Sequence, residues 1–246
     1  MITTPLAAAG DGIQVGHHIQ ATIGGWTFNL DTIWTTVLAG AIVVAMGLLI
    51  ARKATGGVPS KPQILWETVI GQIEDQVEEN VGLKVAPFVV PLAVSIFFFI
   101  LICNWLELLP TQWNENFHLL PAPTADVNLT YALGLFTIIL MHVMTIRRKG
   151  FGRWIKDTVK GHAAFLAPIN IIEELVKPFT LALRLFGNIF AGGIMLSIIA
   201  LIPWWGTWLP NIAWKLFDMF IGVLQAVIFA LLTILYFGFQ MAEEEH

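Results

Sequence analysis

Charge is scarce in this 246-residue chain: Asp, Glu, Lys and Arg make up 12% of it, against 57% hydrophobic residues and a mean hydropathy of +0.75. Soluble domains carry about twice that share of charge, so the composition excludes an ordinary globular domain and indicates an integral membrane protein. The net charge of -4 excludes the basic footprint of a nucleic-acid binder. Cysteine is nearly absent, and Cys103 lies in the apolar run Phe98-Phe-Ile-Leu-Ile-Cys, where it reads as a packed thiol and not a redox or metal site. No GxxxxGK[ST] phosphate loop occurs, so the chain itself handles no nucleotide by that route. An intramembrane metalloenzyme calls for a ligand cluster such as HExxH; His17-His18 is an isolated pair in a polar N-terminal stretch and reads as surface. Metal and cofactor are therefore expected to be none. There is no internal repeat of the kind that a self-contained ion-coupled secondary transporter is built on, and that class is the alternative reading.

Long apolar runs fill the rest. Thr32 to Ala51, Phe88 to Leu109 and Val127 to Ile146 are each about 20 residues, enough to cross ~30 Å of hydrocarbon at ~1.5 Å per residue. Residues 163–241 supply two longer stretches, Ala163 to Ile202 and Asn211 to Met241, the first interrupted by Pro168, Pro178, Gly192 and Gly193. These are expected as bent or strongly tilted helices forming a hairpin that closes near Gly206. Residues 63–82 differ: Trp66, Val69, Ile70, Ile73, Val77 and Val81 recur at helical spacing, with Glu67, Glu74, Asp75, Glu78 and Glu79 opposite. That segment is expected as an amphipathic helix on the cytoplasmic surface, its acidic side either facing a protein partner or merely solvated. The expected fold is an all-α integral membrane protein, one domain over residues 1–246, with five to six hydrophobic helices, a long tilted C-terminal hairpin and one surface helix.

Basic residues set the orientation. Ten of the thirteen Lys and Arg fall in two places, Arg52, Lys53, Lys61 and Lys84 around the first loop and Arg147, Arg148, Lys149, Arg153, Lys156 and Lys160 in the second, so both loops are expected to be cytoplasmic. Residues 1–31 and Pro110 to Asp126 contain none, which places the N-terminus outside and, by counting crossings, the C-terminus inside. The N-terminus lacks the basic region of a secretory signal and reads as mature sequence.

The three remaining cations, Lys177, Arg184 and Lys215, lie in the C-terminal helices. Arg184 is the informative one, because a guanidinium stays protonated and costs from about 2.5 to above 10 kcal/mol at a bilayer centre. Thr180, Arg184, Gly187, Asn188, Ala191 and Gly192 share one small, polar helix face, which admits a close neighbour. An internal salt bridge is the bland alternative to an ion path. On the last helix Lys215, Asp218, Gly222, Gln225, Thr233, Tyr236 and Gln240 form a polar stripe; a hairpin sets Arg184 opposite Gln225 and Gly193 opposite Asp218. Sorted by depth, Asn104, Glu107, Asp126, Asn128 and Asp218 fall outside, and His142, Glu173, Glu174 and Lys177 inside, suggesting two polar half-paths that do not meet. Structural readings stand beside these: Asp126 as cap of the helix starting near Val127, Glu107 as a wet helix end, and Glu173 and Glu174 as partners of Lys177.

The run Pro178-Phe-Thr-Leu-Ala-Leu-Arg-Leu-Phe-Gly-Asn-Ile-Phe-Ala-Gly, with Leu224-Gln-Ala-Val-Ile-Phe-Ala-Leu-Leu-Thr-Ile-Leu-Tyr downstream, resembles the F-type ATP synthase subunit a family. Asn104-Trp-Leu-Glu-Leu-Leu-Pro, Ala125-Asp-Val-Asn and Pro168-Ile-Asn extend the likeness to nearly everything after residue 60, and Gly161-His, Phe165-Leu-Ala-Pro-Ile-Asn and Ala191-Gly-Gly-Ile resemble its actinobacterial, mycobacterium-like branch. The resemblance implies a non-catalytic proton-channel subunit of the F0 sector in a bacterial plasma membrane, with c-ring subunits, a peripheral stalk (b or b/delta-type), lipid and the rest of the F1F0 complex as partners. It also implies that Arg184 faces the c-ring and blocks proton leakage, with Asn188 and Gln225 flanking it. Where some members carry Glu nine residues after the arginine and His in the next helix, this chain has Gly193 and Asp218, which makes Asp218 the relay candidate.

Overall fold

The computed structural model describes residues 20–23, 26–106, 108, 112–114, 117–118, 123–160, 176, 179–180, 183, 187, 191–195 and 197–241. Within them the protein is an all-α membrane protein, with helices α1 (Leu30–Lys53), α2 (Lys61–Asn80), α3 (Val89–Leu106), α4 (Val127–Lys149), α5 (Phe151–Lys160) and α6 (Trp204–Met241). Residues 191–195 and 197–199 are helical as well. Four helices are long and apolar enough to cross a membrane: α1, α3, α4 from Asn128, and α6 from Trp205. Two short antiparallel hairpins, which no periodicity in the sequence announces, accompany the helices. β1 (Gln20–Ile23) pairs with β2 (Trp26–Asn29) and leads directly into α1, while β3 (Gln112–Asn114) pairs irregularly with β4 (Phe117–His118).

α3 is the central helix. Val89, Ala93, Ile96, Phe97, Ile100, Leu101 and Cys103 are all buried, and α1, α2 and α6 pack around it. It runs antiparallel to α6: Phe88 and Phe237 meet edge to face at 5.6 Å at one end, and Asn104 bonds to Gly222 at the other. Phe229, Ala230, Ile234 and Phe237 of α6 fill the core opposite. α1 is the lipid-facing extreme, with Trp34, Val37, Val44 and Leu48 exposed, as expected where the surrounding solvent is hydrocarbon. The hydroxyls inside these helices satisfy themselves, Thr35, Thr137, Thr145 and Thr233 each donating to the carbonyl four residues back at 2.6–3.0 Å.

α2 is moored along the end of this bundle. Trp66 stacks on Phe98 with ring centroids 4.1 Å apart, and Ile73 and Val77 enter the core, leaving Glu67, Glu74, Asp75, Glu78 and Glu79 on the open side. At its far end α2 touches α6 so closely that a Cβ on Gly238 would lie 2.5 Å from the Asn80 carbonyl oxygen.

Two details differ from the sequence expectation, and a third, the length of the last helix, agrees with the tilt expected of it. The second basic segment is not a loop beyond Lys149: Gly150, at φ +85, turns the chain, and Phe151–Lys160 forms α5. Trp154 of α5 then donates to Nδ1 of His142 on α4 at 3.0 Å. The hairpin does not close at Gly206, which sits in the first turn of α6; the reversal lies at residues 200–203, because Pro203 disfavours helical backbone at Ile202. At 38 residues α6 is about 57 Å long, so it cannot stand upright within ~30 Å of hydrocarbon.

The approach at Gly238 gives a paired test. Gly238→Ala should lower stability by about 1–3 kcal/mol, since backbone must move to admit the methyl group, whereas Gly71→Ala, with open space around its position, should be neutral or gain up to about 1 kcal/mol from helix propensity. Thermal unfolding in detergent reads both.

Candidate functional site

Of the residues singled out above, Asn104, Asp126, Asn128, Asp218 and Gln225 are described, while Arg184, Asn188, Glu173 and Glu174, along with Glu107 and Lys177, lie outside the described residues. The described set lies at the end of α3, the start of α4 and the middle of α6.

Asp126 is the best-bonded of them. As N-cap of α4, its Oδ1 accepts from the backbone N–H of Asn128 at 2.8 Å and from Asn128 Nδ2 at 3.0 Å; its Oδ2 accepts from Asn29 Nδ2 at 2.7 Å and from Thr32 Oγ1 at 2.8 Å. A carboxylate offers about four acceptor positions, and here four bonds reach it although it is 5% exposed. The cap reading of Asp126 holds, and it does more than cap, because the same carboxylate joins the start of α1 to the start of α4. Asp31, one residue before Thr32, is buried as well and accepts from the Thr32 N–H at 2.8 Å.

Asn104 makes the second junction. Its Nδ2 donates to the Gly222 carbonyl of α6 at 3.2 Å, and its Oδ1 accepts from Thr124 Oγ1 at 3.0 Å. Trp105 next to it donates from Nε1 to the Met219 carbonyl at 3.4 Å. Two neighbouring side chains of α3 thus hold two carbonyls of α6 three residues apart. The approach needs a residue without a side chain at 222: a Cβ there would sit 3.2 Å from the Asn104 Cβ. Thr124 belongs to a short 3-10 turn, Pro123–Ala125, immediately before Asp126, so the two junctions share one piece of chain.

Asp218 lies one turn before Gly222 on α6, half-buried, with Lys215 a turn earlier. Across from it is Gly192, where a Cβ would stand 3.8 Å from Asp218 Oδ1; Gly193, which the sequence pairs with Asp218, has nothing within 4 Å. The correction is one residue. Seven residues beyond Asp218, Gln225 is 5% exposed and its Nε2 is buried with no hydrogen-bond partner among the described residues. An unsatisfied buried amide costs about 1–3 kcal/mol, so the partner of Gln225 Nε2 is not among the described residues. At the other end of α4, His142 accepts from Trp154 and Arg148 donates to the Val85 carbonyl, so these basic-end groups tie α5 and the loop before α3 to α4.

Sequence reasoning missed Asn29, Thr32 and Thr124, whose partners lie 97, 94 and 20 residues away. No local pattern marks them. Gly222 was legible as a small residue in the polar stripe, and its role as the approach point was not. Among the described residues no group of three or more His, Cys, Asp or Glu is arranged to hold a metal ion.

Comparison with known proteins bears on the same residues. The family model for the ATP synthase A chain matches residues 33–238. The chain is 51% identical over 234 residues to the ATP synthase subunit a of Acidothermus cellulolyticus, covering 95% of this chain and 85% of that one. To the ATP synthase subunit a of Mycobacterium tuberculosis it is 49% identical over 253 residues, covering both chains completely, and to that of Tolumonas auensis 40% identical over 247 residues, covering 94% and 93%.

The Asp126 junction makes a sharp expectation. Asp126→Ala removes a helix cap and strips acceptors from Asn29 and Thr32, which should cost about 2–4 kcal/mol; Asp126→Asn, keeping one oxygen, should cost less than half of that. Urea-induced unfolding monitored by tryptophan fluorescence ranks the two.

Proposed function

This chain belongs to the ATP synthase A chain family, and from that membership we propose that it is the stationary proton-conducting subunit of the F0 sector, passing H+ to and from carboxylates of a rotating c-ring through two offset half-channels. Its place is the bacterial plasma membrane, with the N-terminus outside and the C-terminus in the cytoplasm, against c subunits and a peripheral stalk. It is not itself the catalyst of ATP formation.

In this reading a proton arrives from outside along the polar cluster of Asn104, Asp126 and Asn128 and is taken up at Asp218. Asp126 serves there as a fixed carboxylate, since its acceptor positions are occupied by Asn29, Thr32 and Asn128. Asp218 is the relay: it is half-buried and lies across from Gly192. The proton neutralises a ring carboxylate, which turns away into lipid. After nearly a full turn the carboxylate is discharged into the cytoplasmic half-channel at Glu173 and Glu174 and pairs with Arg184. A permanently charged guanidinium lowers the proton affinity of that carboxylate and cannot carry the proton across. Gln225 and Asn188 flank the arginine, and Gln225 Nε2 is buried with no hydrogen-bond partner among the described residues. One charge crossing 100 mV releases about 2.3 kcal/mol, so several protons pass for each ATP.

The single observation that supports this reading most strongly is that Asn104 joins Thr124, two residues before Asp126, to Gly222, one turn from Asp218 on α6. The experiment is ATP-driven proton pumping in vesicles holding the whole complex. Arg184→Ala should abolish coupled pumping with assembly intact, and undiminished pumping overturns the assignment. Asp218→Asn should slow pumping by about a hundredfold, the usual scale for losing a proton-transfer group, while Asp218→Glu retains most of the rate.

A further inference from the structure

α1 and α2 both pack on α3, yet they scarcely touch each other. The space between them is a cavity of about 520 Å³, walled by Ile42, Ala45 and Leu49 of α1, Trp66 of α2 and Phe98 of α3, with Lys53 at one end. That volume lies within the ~300–1,000 Å³ of small-molecule sites. One wall is rigid, because Trp66 and Phe98 are stacked 10° from parallel.

The walls and the mouth call for different chemistry. Aliphatic and aromatic walls gain nothing from a polar solute and favour a hydrocarbon chain. Of the basic residues that end α1 and begin α2, namely Arg52, Lys53 and Lys61, Lys53 lines the cavity. Ser60, the N-cap residue of α2, also lines the cavity, and its hydroxyl makes no capping bond. The acidic group on that side is Glu67, and its carboxylate already accepts from Gln63 Nε2 at 2.7 Å. One cation on the wall, with no carboxylate among the lining residues, favours an anion there. The occupant is therefore an amphiphile, apolar in its body and negative at its head.

A polypeptide helix fits less well. A helix about 10 Å across fills roughly 420 Å³ per 5.4 Å turn, so the cavity admits little more than a single turn. We propose that this cavity is a binding site for an anionic glycerophospholipid, with an acyl chain lying between α1 and α2 on the Trp66–Phe98 stack and the phosphate held by Lys53 and Ser60. The lipid fills the space between α1 and α2 and sets the angle at which α2 leaves α1. The proposal needs only that the chain is embedded in a membrane, and it stands apart from the proton path.

The test uses the whole complex purified in mild detergent, equilibrated with mixed micelles of phosphatidylglycerol and phosphatidylcholine, with copurifying lipid quantified by mass spectrometry. The wild type should retain phosphatidylglycerol in preference to phosphatidylcholine. Lys53→Gln should weaken that retention by about fivefold, the usual contribution of one cation at a lipid surface. Ala45→Trp, which fills the cavity, should remove it. Should the tryptophan variant fail to assemble, a photo-crosslinker at position 49 decides in its place, and it should capture lipid. Equal retention of the two lipids, undiminished retention in Lys53→Gln or Ala45→Trp, or crosslinking to a polypeptide would overturn the proposal. Proton pumping is not the readout, so this result and that of the Arg184 experiment stand separately.

Discussion

Hydrocarbon offers no hydrogen bonds, and most of the architecture follows from that single constraint. Every polar group carried into the bilayer must find its partner within protein, and this chain does so at two junctions. Asp126 collects four donors from α1 and α4, and Asn104 joins α3 to both the turn before α4 and the backbone of α6. The isolated hydroxyls close on their own helices. Against that background Gln225 Nε2, without a partner among the described residues, is a departure, located on the helix that the proton path is proposed to follow.

The apolar runs were readable in the sequence because length and hydropathy are local properties. The mean burial of α3 and α1 was not: both are equally apolar, and only the tertiary arrangement makes one a core helix and the other a lipid-facing one. The amphipathic period of α2 was readable for the same reason as the spans, and so was the capping of α4 by Asp126, which needs only the next two residues. α5 was hidden among basic residues that read equally well as a loop. The hairpin's register was off by one residue, which a local pattern does not fix and which rotates a helical partner by about 100°. Arg184 was conspicuous from cost alone, while Asn104 needed its distant carbonyl to acquire meaning.

The chemistry of the candidate site divides between fixed and exchangeable groups. Asp126 is saturated with donors and belongs to the scaffold. Asp218, the carboxylate proposed as the relay, lies half-buried across from Gly192.

The two close approaches on α6 lie 16 residues apart, Asn104 at Gly222 and Asn80 at Gly238, or about 24 Å along the helix. Both depend on glycine, so neither can slide: moving α6 along its axis by a single residue would bring a side chain into the gap at each end. In mechanical terms the helix is a beam clamped at two points. A sideways force applied between the clamps is carried into α3 and α2 as a reaction rather than lost as drift, as any part that holds still while something turns against it requires.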